Sequence, residues 1–188
     1  AGSNSWTKNW PAPSATAMLA TIRGDGLRAV RDRAILAVGM AGAFRRSELA
    51  AMQLSELQFV PSGLRIIIPR SKRDQEQLGQ EIAIPEGRFI RPVALVKAWL
   101  DAAGLAGIDP ATGKPHQGPV FRRLTRGDDV TADPITDKTV ARLVKSCAAA
   151  AGFDSALYSG HSLRAGFLTA AASNRANLLK MKDQSRQK

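Results

Sequence analysis

Residues 27–52 read LRAVRDRAILAVGMAGAFRRSELAAM and contain the longest apolar run of the chain, at 34–44. Apolar side chains recur at helical spacing in the first part, which predicts a buried helix over residues 27–42. A second, short helix is expected over residues 46–52. Arg45 stands at the junction, where a guanidinium can point at a phosphate. Taken alone, the junction is also typical of a helix corner with a surface arginine pair.

The rest of the chain predicts a small sheet and further helices around this pair. Residues 57–60 and 64–68 flank Pro61-Ser62-Gly63 and indicate a hairpin, with a third short strand at 81–84 and a polar loop at 70–80. Other helices are expected at 15–22, 92–104 and 137–151, and a last helical pair at 159–172 and from 174 onward. The predicted fold class is therefore α+β, mainly α, with a small three-stranded antiparallel sheet.

The charge balance points to a partner rather than to a fold. The chain has 188 residues, enough for one domain with a sizeable core, and a formal net charge of +11. Eighteen of its basic residues are arginines, whose planar fork of donors matches phosphate. Such a balance favours a nucleic acid or an acidic surface as the partner.

Composition also excludes several classes of protein. One cysteine rules out an internal disulfide framework, and one cysteine with two histidines cannot supply a zinc site. The run at 34–44 is too short to cross a bilayer, and residues 1–13 lack a signal-peptide pattern. We therefore expect a soluble cytoplasmic protein. The acidic residues form no close cluster, which disfavours a two-metal nuclease.

Three further stretches could carry functional residues, and each also has an alternative interpretation that involves no function. Residues 71–75, SKRDQ, place Lys72 in the polar loop, where a lysine can reach a cleft but is more often solvated. Residues 158–166, YSGHSLRAG, place His161 and Arg164 on one face at a helix start, a spacing that is common by chance. The basic tail 174–188 resembles many solvated faces.

In this order, the four stretches together resemble the catalytic domain of the tyrosine recombinases, the phage integrase family. The family's first arginine lies in a segment like Gly-x-x-Arg-x-x-Glu-Leu, which matches Arg45 and Glu48. Its lysine lies between the second and third strands, as Lys72 does. Its His-x-x-Arg box matches His161 and Arg164. The resemblance runs from about residue 25 to the end, and the ordered combination is far more specific than any one motif.

The resemblance implies cleavage and rejoining of double-stranded DNA through a 3′-phosphotyrosyl intermediate, without a metal or other cofactor. Arg45 and Arg164 would stabilise the charge that gathers on the phosphate oxygens. Lys72 would be the general acid to the leaving 5′ oxygen, and His161 would donate to the phosphate or take the tyrosine proton. Glu48 would orient other side chains. The expected DNA-binding residues are Arg46, Arg73, Arg186 and Lys188.

Two departures from the family pattern concern the end of the sequence. The next active-site residue, usually His or Trp, should fall roughly two dozen residues after the second arginine, which leads to Gln187. A glutamine can donate to phosphate but cannot act as an acid or base. The nucleophilic tyrosine should follow later still. Tyr158, the one tyrosine, precedes His161, where the family has no nucleophile, and we expect it to be structural.

We accordingly expect a division into residues 1–14, an N-terminal arm or a remnant of cloning, and 15–188, an integrase-like catalytic domain incomplete at its C-terminus. The family's N-terminal DNA-clamping domain is expected to be absent. Such a fragment should bind DNA weakly and cleave none. The full-length protein should form a homo-tetramer on DNA and should not associate with a membrane.

Several alternatives stay open at this point. The parent enzyme could be a resolvase of chromosome dimers, an integrase of a phage or mobile element, or a distant type IB topoisomerase. A degenerate integrase-like protein that binds DNA and regulates without catalysis is the non-enzyme alternative, and Gln187 favours it. A membrane-surface protein has little support, because no helix pairs a bulky apolar face with a lysine-rich one.

Overall fold

The structure is a computed structural model that describes residues 15–68, 80–87 and 90–153. Its helices are α1 (Ala15–Ala20), α2 (Leu27–Ala41), α3 (Arg46–Ala51), α4 (Pro92–Ala102) and α5 (Asp137–Ala150), with a 3-10 turn at Leu54–Glu56. Its strands are β1 (Leu57–Val60), β2 (Gly63–Ile68), β3 (Gln80–Pro85), β4 (Ile108–Asp109), β5 (Lys114–Pro115), β6 (Arg122–Leu124) and β7 (Val130–Pro134). The predicted α+β class is confirmed.

The core is built around α2. The segment 34–38 is completely buried, so this part of the helix is apolar on every side, as expected for a helix at the centre of a domain. The other helices and the three-stranded sheet contribute their apolar residues to the same core cluster, and α4 packs along α2. The predicted helix 27–42 therefore exists and is the element on which the others are assembled.

The three strands β1, β2 and β3 form an antiparallel sheet in that order. One face carries the buried Leu64, Ile66, Ile82 and Ile84 of β2 and β3. On the other face Arg65 Nε lies 3.3 Å from Glu81 Oε1 in an exposed ion pair. This alternation is what half-burial of a sheet requires, and it confirms the predicted hairpin and third strand.

Helices α4 and α5 begin where the sequence predicts. Pro92 takes the first helical position of α4, where a missing N–H costs nothing. The backbone N–H of Thr139 donates to the Thr136 hydroxyl at 3.2 Å, which caps α5. The apolar stripe of α5 is buried at Val140, Val144, Cys147 and Ala148.

Two short hairpins are present that the sequence did not indicate. Strands β4 and β5 pair within residues 104–119, between the predicted helices at 92–104 and 137–151, and β6 pairs with β7. These strands are two to five residues long and mostly exposed, so no alternation of apolar and polar residues marks them. The predicted loop at 70–80, apart from residue 80 at the start of β3, and the last helical pair lie outside the described residues.

Trp99 is a buried aromatic residue whose side chain forms a hydrogen bond to the backbone. Its side chain is fully buried, and its indole N–H donates to the carbonyl of Val120 at 2.8 Å. The substitution Trp99→Phe removes the donor and leaves that buried carbonyl unpaired. We expect the free energy of unfolding to fall by about 2 kcal/mol, measured by urea denaturation. Phe59→Leu, at a half-exposed aromatic residue, should change it by less than about 0.5 kcal/mol. Equal effects would contradict the role of the hydrogen bond.

Candidate functional site

At the corner between α2 and α3 the chain passes from the buried core to the surface, where Arg45 lies. The N–H of Phe44 donates to the carbonyl of Gly39 at 3.0 Å, and Ala43 takes a left-handed conformation with φ of 50°. The Phe44 ring is fully buried and fills the space that a Cβ at Gly42 would need, so this position requires glycine. The chain then becomes extended at Arg45, with φ of −72° and ψ of 148°.

Glu48 holds both the backbone and the side chain of Arg45. One carboxylate oxygen accepts the Arg45 N–H at 2.7 Å, and the other accepts Nη1 of the guanidinium at 2.9 Å. The Glu48 side chain is 17% exposed, whereas that of Arg45 is 48% exposed. The carboxylate also lies in the first turn of α3, where the helix dipole favours a negative charge. The arginine is thereby oriented while it remains open to solvent.

The geometry leaves donors of Arg45 for a ligand. Among the described residues, Glu48 is the partner that engages Nη1, and Nε and Nη2 have no hydrogen-bond acceptor there. A guanidinium with two donors available can bind two oxygens of a phosphate in parallel. Arg45 is therefore better suited to bind an anion than an arginine whose donors are taken up in an exposed ion pair.

Arg46, the other half of the arginine pair, connects two helices. Its Nε lies 3.6 Å from Oδ2 of Asp137 in the first turn of α5. Both side chains are more than two-fifths exposed, so the pair contributes little to stability. It does place the first turn of α5 beside the start of α3. Arg46, which is predicted to bind DNA, is therefore paired with a carboxylate in this structure.

A row of basic side chains on α5 was missed in the sequence. Lys138, Arg142 and Lys145 are all exposed, and their spacing of four and three residues puts them on one face of the helix. They form no ion pair within the part of the chain that the structure describes. The signal was available in the sequence, since these residues lie opposite the apolar stripe of α5. We call these three residues the α5 basic row.

The other predicted site residues lie outside the described residues. These are Lys72, Arg73, His161, Arg164, Arg186, Gln187 and Lys188, and Tyr158 belongs with them. From the predicted set the structure therefore places Arg45, Arg46 and Glu48, and it brings these three together at the start of α3.

Other chemistries find no support in the described residues. No group of three histidine, cysteine or acidic side chains within ranges 15–68, 80–87 and 90–153 could hold a metal ion. Burial raises the pKa of the Cys147 thiol, which favours the protonated, unreactive form. No helix in the described ranges is long and apolar enough to span a membrane.

Comparison with known proteins gives a consistent result. The model of the Phage integrase family matches residues 13–184. The chain is 41% identical over 166 residues to an integrase/recombinase XerD homolog of Selenomonas ruminantium, covering 87% of this chain and 46% of that protein. It is 30% identical over 162 residues to the tyrosine recombinase XerD of Xanthomonas axonopodis pv. citri, covering 86% and 48%. The chain thus spans about half the length of these relatives.

Solved structures of low sequence identity share the fold. The XerH site-specific recombinase bound to its difH substrate matches with a TM-score of 0.68 at 14% identity, covering 94% of this chain and 45% of that one. The XerA recombinase matches with a TM-score of 0.65 at 17% identity, covering 93% and 54%. The Tn1549 transposon integrase in complex with transposon right end DNA matches at 0.57 and 20%, covering 95% and 57%. The expected catalytic-domain fold is confirmed.

The contribution of the two Glu48 hydrogen bonds to stability can be measured by substitution. Glu48→Ala leaves the Arg45 N–H and guanidinium without their carboxylate, and we expect the free energy of unfolding to fall by about 1 kcal/mol in urea denaturation. Glu81→Ala is the matched control, because it removes an exposed ion pair with Arg65 and caps no helix. Its expected cost is below about 0.5 kcal/mol. A Glu48 variant no less stable than the control would show that the cap is not formed.

Proposed function

The chain belongs to the phage integrase family, and on that premise we propose that it is the catalytic part of a site-specific DNA recombinase that cuts and rejoins strands through a 3′-phosphotyrosyl intermediate. The observation that carries the proposal is the oriented, half-exposed Arg45 at the start of α3, held by Glu48. The position of this arginine in the chain is that of the family's first active-site arginine. The DNA held by the similar Tn1549 integrase structure supports DNA as the substrate.

The proposed reaction displaces one oxygen of a DNA phosphodiester by another. A tyrosine oxygen bonds to the phosphorus, the bond to the 5′ oxygen breaks, and that oxygen leaves with a proton from Lys72. Arg45 and Arg164 stabilise the charge on the non-bridging oxygens in the transition state. His161 donates to the same phosphate or accepts the tyrosine proton. Rejoining is the reverse, with the 5′-hydroxyl attacking the phosphotyrosyl bond.

The nucleophile is proposed to lie outside the 188 residues. Tyr158 precedes the His-x-x-Arg box, whereas the family's tyrosine follows it. Gln187 stands at the position of the usual His or Trp and would donate a hydrogen bond to phosphate. The coverage of about half of the relatives is consistent with a longer parent protein. We therefore propose that this chain by itself binds DNA weakly and does not cleave it, and that residues 15–188 act as one catalytic unit.

The duplex around the cleaved phosphate is proposed to lie against basic residues beside Arg45. Arg46 and the α5 basic row provide such a surface in the described residues, since the start of α5 lies next to α3, where Asp137 contacts Arg46. Arg73, Arg186 and Lys188 would add to it. Assembly as a homo-tetramer on DNA is proposed for the parent protein.

A degenerate integrase-like DNA-binding protein is the second candidate, favoured by Gln187. It would share the phosphate-binding surface and differ only in chemistry. The rejoining half-reaction separates the two, because that step needs the phosphate-binding groups but no tyrosine from the protein.

The first test supplies the tyrosine on the DNA. A duplex selected from a random pool by its binding to the chain is prepared as two pieces, one with a 3′-phosphotyrosyl end and one with a free 5′-hydroxyl. We expect the chain to join them and release tyrosine. Arg45→Ala should slow joining by about 100-fold, because a charge-stabilising donor is lost, while the Kd for the duplex changes by less than about 3-fold.

Arg65→Ala, at an arginine paired with Glu81 on the outer face of the sheet, is the matched control and should leave joining unchanged. If Arg45→Ala weakens joining and binding equally, the arginine is only a phosphate anchor. If the unaltered chain binds the duplex without joining it, the regulatory candidate replaces the enzyme. A covalent adduct with intact DNA would refute the proposed lack of cleavage.

The second test concerns the α5 basic row. Replacing Lys138, Arg142 and Lys145 by glutamine should lower DNA affinity at low salt, because contacts to phosphate are lost. Since each such contact contributes about 0.9 to the slope of log K against log salt, the slope should fall by about 2 to 3. Fluorescence anisotropy over a range of salt concentrations measures both quantities.

A variant with Lys97 and Lys114 replaced by glutamine is the control, since these exposed lysines lie on α4 and β5. It should retain most of the slope. Losses of slope in the ratio of the charges removed, three to two, would mean that binding follows net charge alone, with no particular face of the protein involved.

A further inference from the structure

Arg122, in β6, uses its guanidinium on the protein's own backbone. Its Nε donates to the carbonyl of Pro119 at 3.2 Å, and its Nη2 donates to the carbonyl of Gln117 at 2.7 Å. The neighbouring Arg123 instead lies 3.7 Å from Asp133 in an exposed ion pair. A guanidinium that donates to two carbonyls of one loop fixes the shape of that loop.

The loop fixed by Arg122 is attached to the exit of α3. The N–H of Leu54 donates to the carbonyl of Gly118 at 2.9 Å, and the N–H of Val120 donates to the carbonyl of Met52 at 2.9 Å. Gln53 and Pro119 form the antiparallel bridge between these two bonds. Residues 117–120 therefore hold the chain immediately after α3.

The same loop is anchored to the core from the other side. Arg31 of α2 is only 4% exposed, and its Nη1 donates to the backbone carbonyl of Arg122 at 3.1 Å. Asp32 binds the rest of that guanidinium at 2.9 and 3.0 Å, so the buried charge is paired. Trp99 donates to Val120 within the same segment. The loop is thus a fixed point between α2, α4 and the exit of α3.

Helix α3 depends on fixed points at its ends. It has six residues, too few for a helix to be stable alone, so its direction depends on tertiary contacts, which are the buried Leu49 and the contacts at its two ends. Its start is held by the corner from α2, and its exit is held by the loop. Arg45 lies at the start and Glu48 in the first turn.

We propose that Arg122 is a positioning residue for Arg45: through residues 117–120 it holds the exit of α3, and so sets where the Arg45 guanidinium stands. This inference rests on the proposed function. A displacement of about 1 Å in a group that must meet a transition state can cost a factor of about 100 in rate while binding is little changed. The loop does not contact the substrate in this scheme.

The test compares Arg122→Met, Arg122→Lys and the control Arg123→Met. Amide hydrogen exchange is measured at Leu54, Val120 and Leu49, the last of which donates to the Arg45 carbonyl at 3.1 Å. Arg122→Met should speed exchange at these amides by about 10-fold or more and leave the amides of α2 and α4 unchanged. The same variant should slow joining of 3′-phosphotyrosyl DNA by at least about 10-fold with Kd unchanged. Arg123→Met should do neither.

Arg122→Lys keeps the charge but cannot present a fork to two carbonyls, so it should resemble Arg122→Met. If the lysine variant joins DNA as well as the unaltered chain, Arg122 acts by charge and the inference is wrong. Unchanged exchange at the three amides, or faster exchange across the whole described chain, would also overturn it. If the unaltered chain joins no DNA, the proposed function fails, while the exchange experiment still decides whether Arg122 holds α3.

Discussion

The passage from α2 to α3 is the constraint on which the rest of the structure depends. The chain has to leave the buried, apolar second half of α2 and present a charged side chain at the surface within four residues of the end of that helix. It does so by burying the Phe44 ring against Gly42 and by accepting a left-handed backbone at Ala43. The left-handed region is unfavourable for alanine, so the burial of Phe44 has to outweigh it. Strain of this kind is often found next to functional residues.

Helix α3 takes its stability from its surroundings. Glu48 stabilises its start, and the bonds of Met52 and Leu54 to residues 117–120 stabilise its exit. The position of Arg45 is therefore a property of the whole arrangement, including residues more than seventy positions later in the chain. This is the physical reason why an arginine can be held accurately on a helix of six residues.

The 27 lysines and arginines overstate how many cations are available to bind an anionic partner. Many arginines already have a partner: a carboxylate for Arg28, Arg46, Arg65, Arg91 and Arg123, and backbone carbonyls for Arg33 and Arg122. Arginine thus serves two purposes in this protein, because its fork can fix a loop as well as bind a phosphate. In the described residues, the cations best placed for a large anionic partner are Arg45 and the α5 basic row.

The sequence by itself determined the helices of the described residues, the three-stranded sheet and the family. A long apolar run marks α2, and apolar periodicity marks α4 and α5. Pro92 at a first helical position and the cap Thr136 mark where α4 and α5 begin, so local physics was sufficient there. The short hairpins β4–β5 and β6–β7 were not predicted, since strands of two to five mostly exposed residues carry no periodic signal. Only the tertiary structure decided which arginines bind the protein's own backbone, which form ion pairs and which remain available to a ligand. Arg122 and Arg123 are adjacent and chemically identical, yet one fixes a loop and the other forms an exposed ion pair, because partners distant in sequence become neighbours only when the chain is folded.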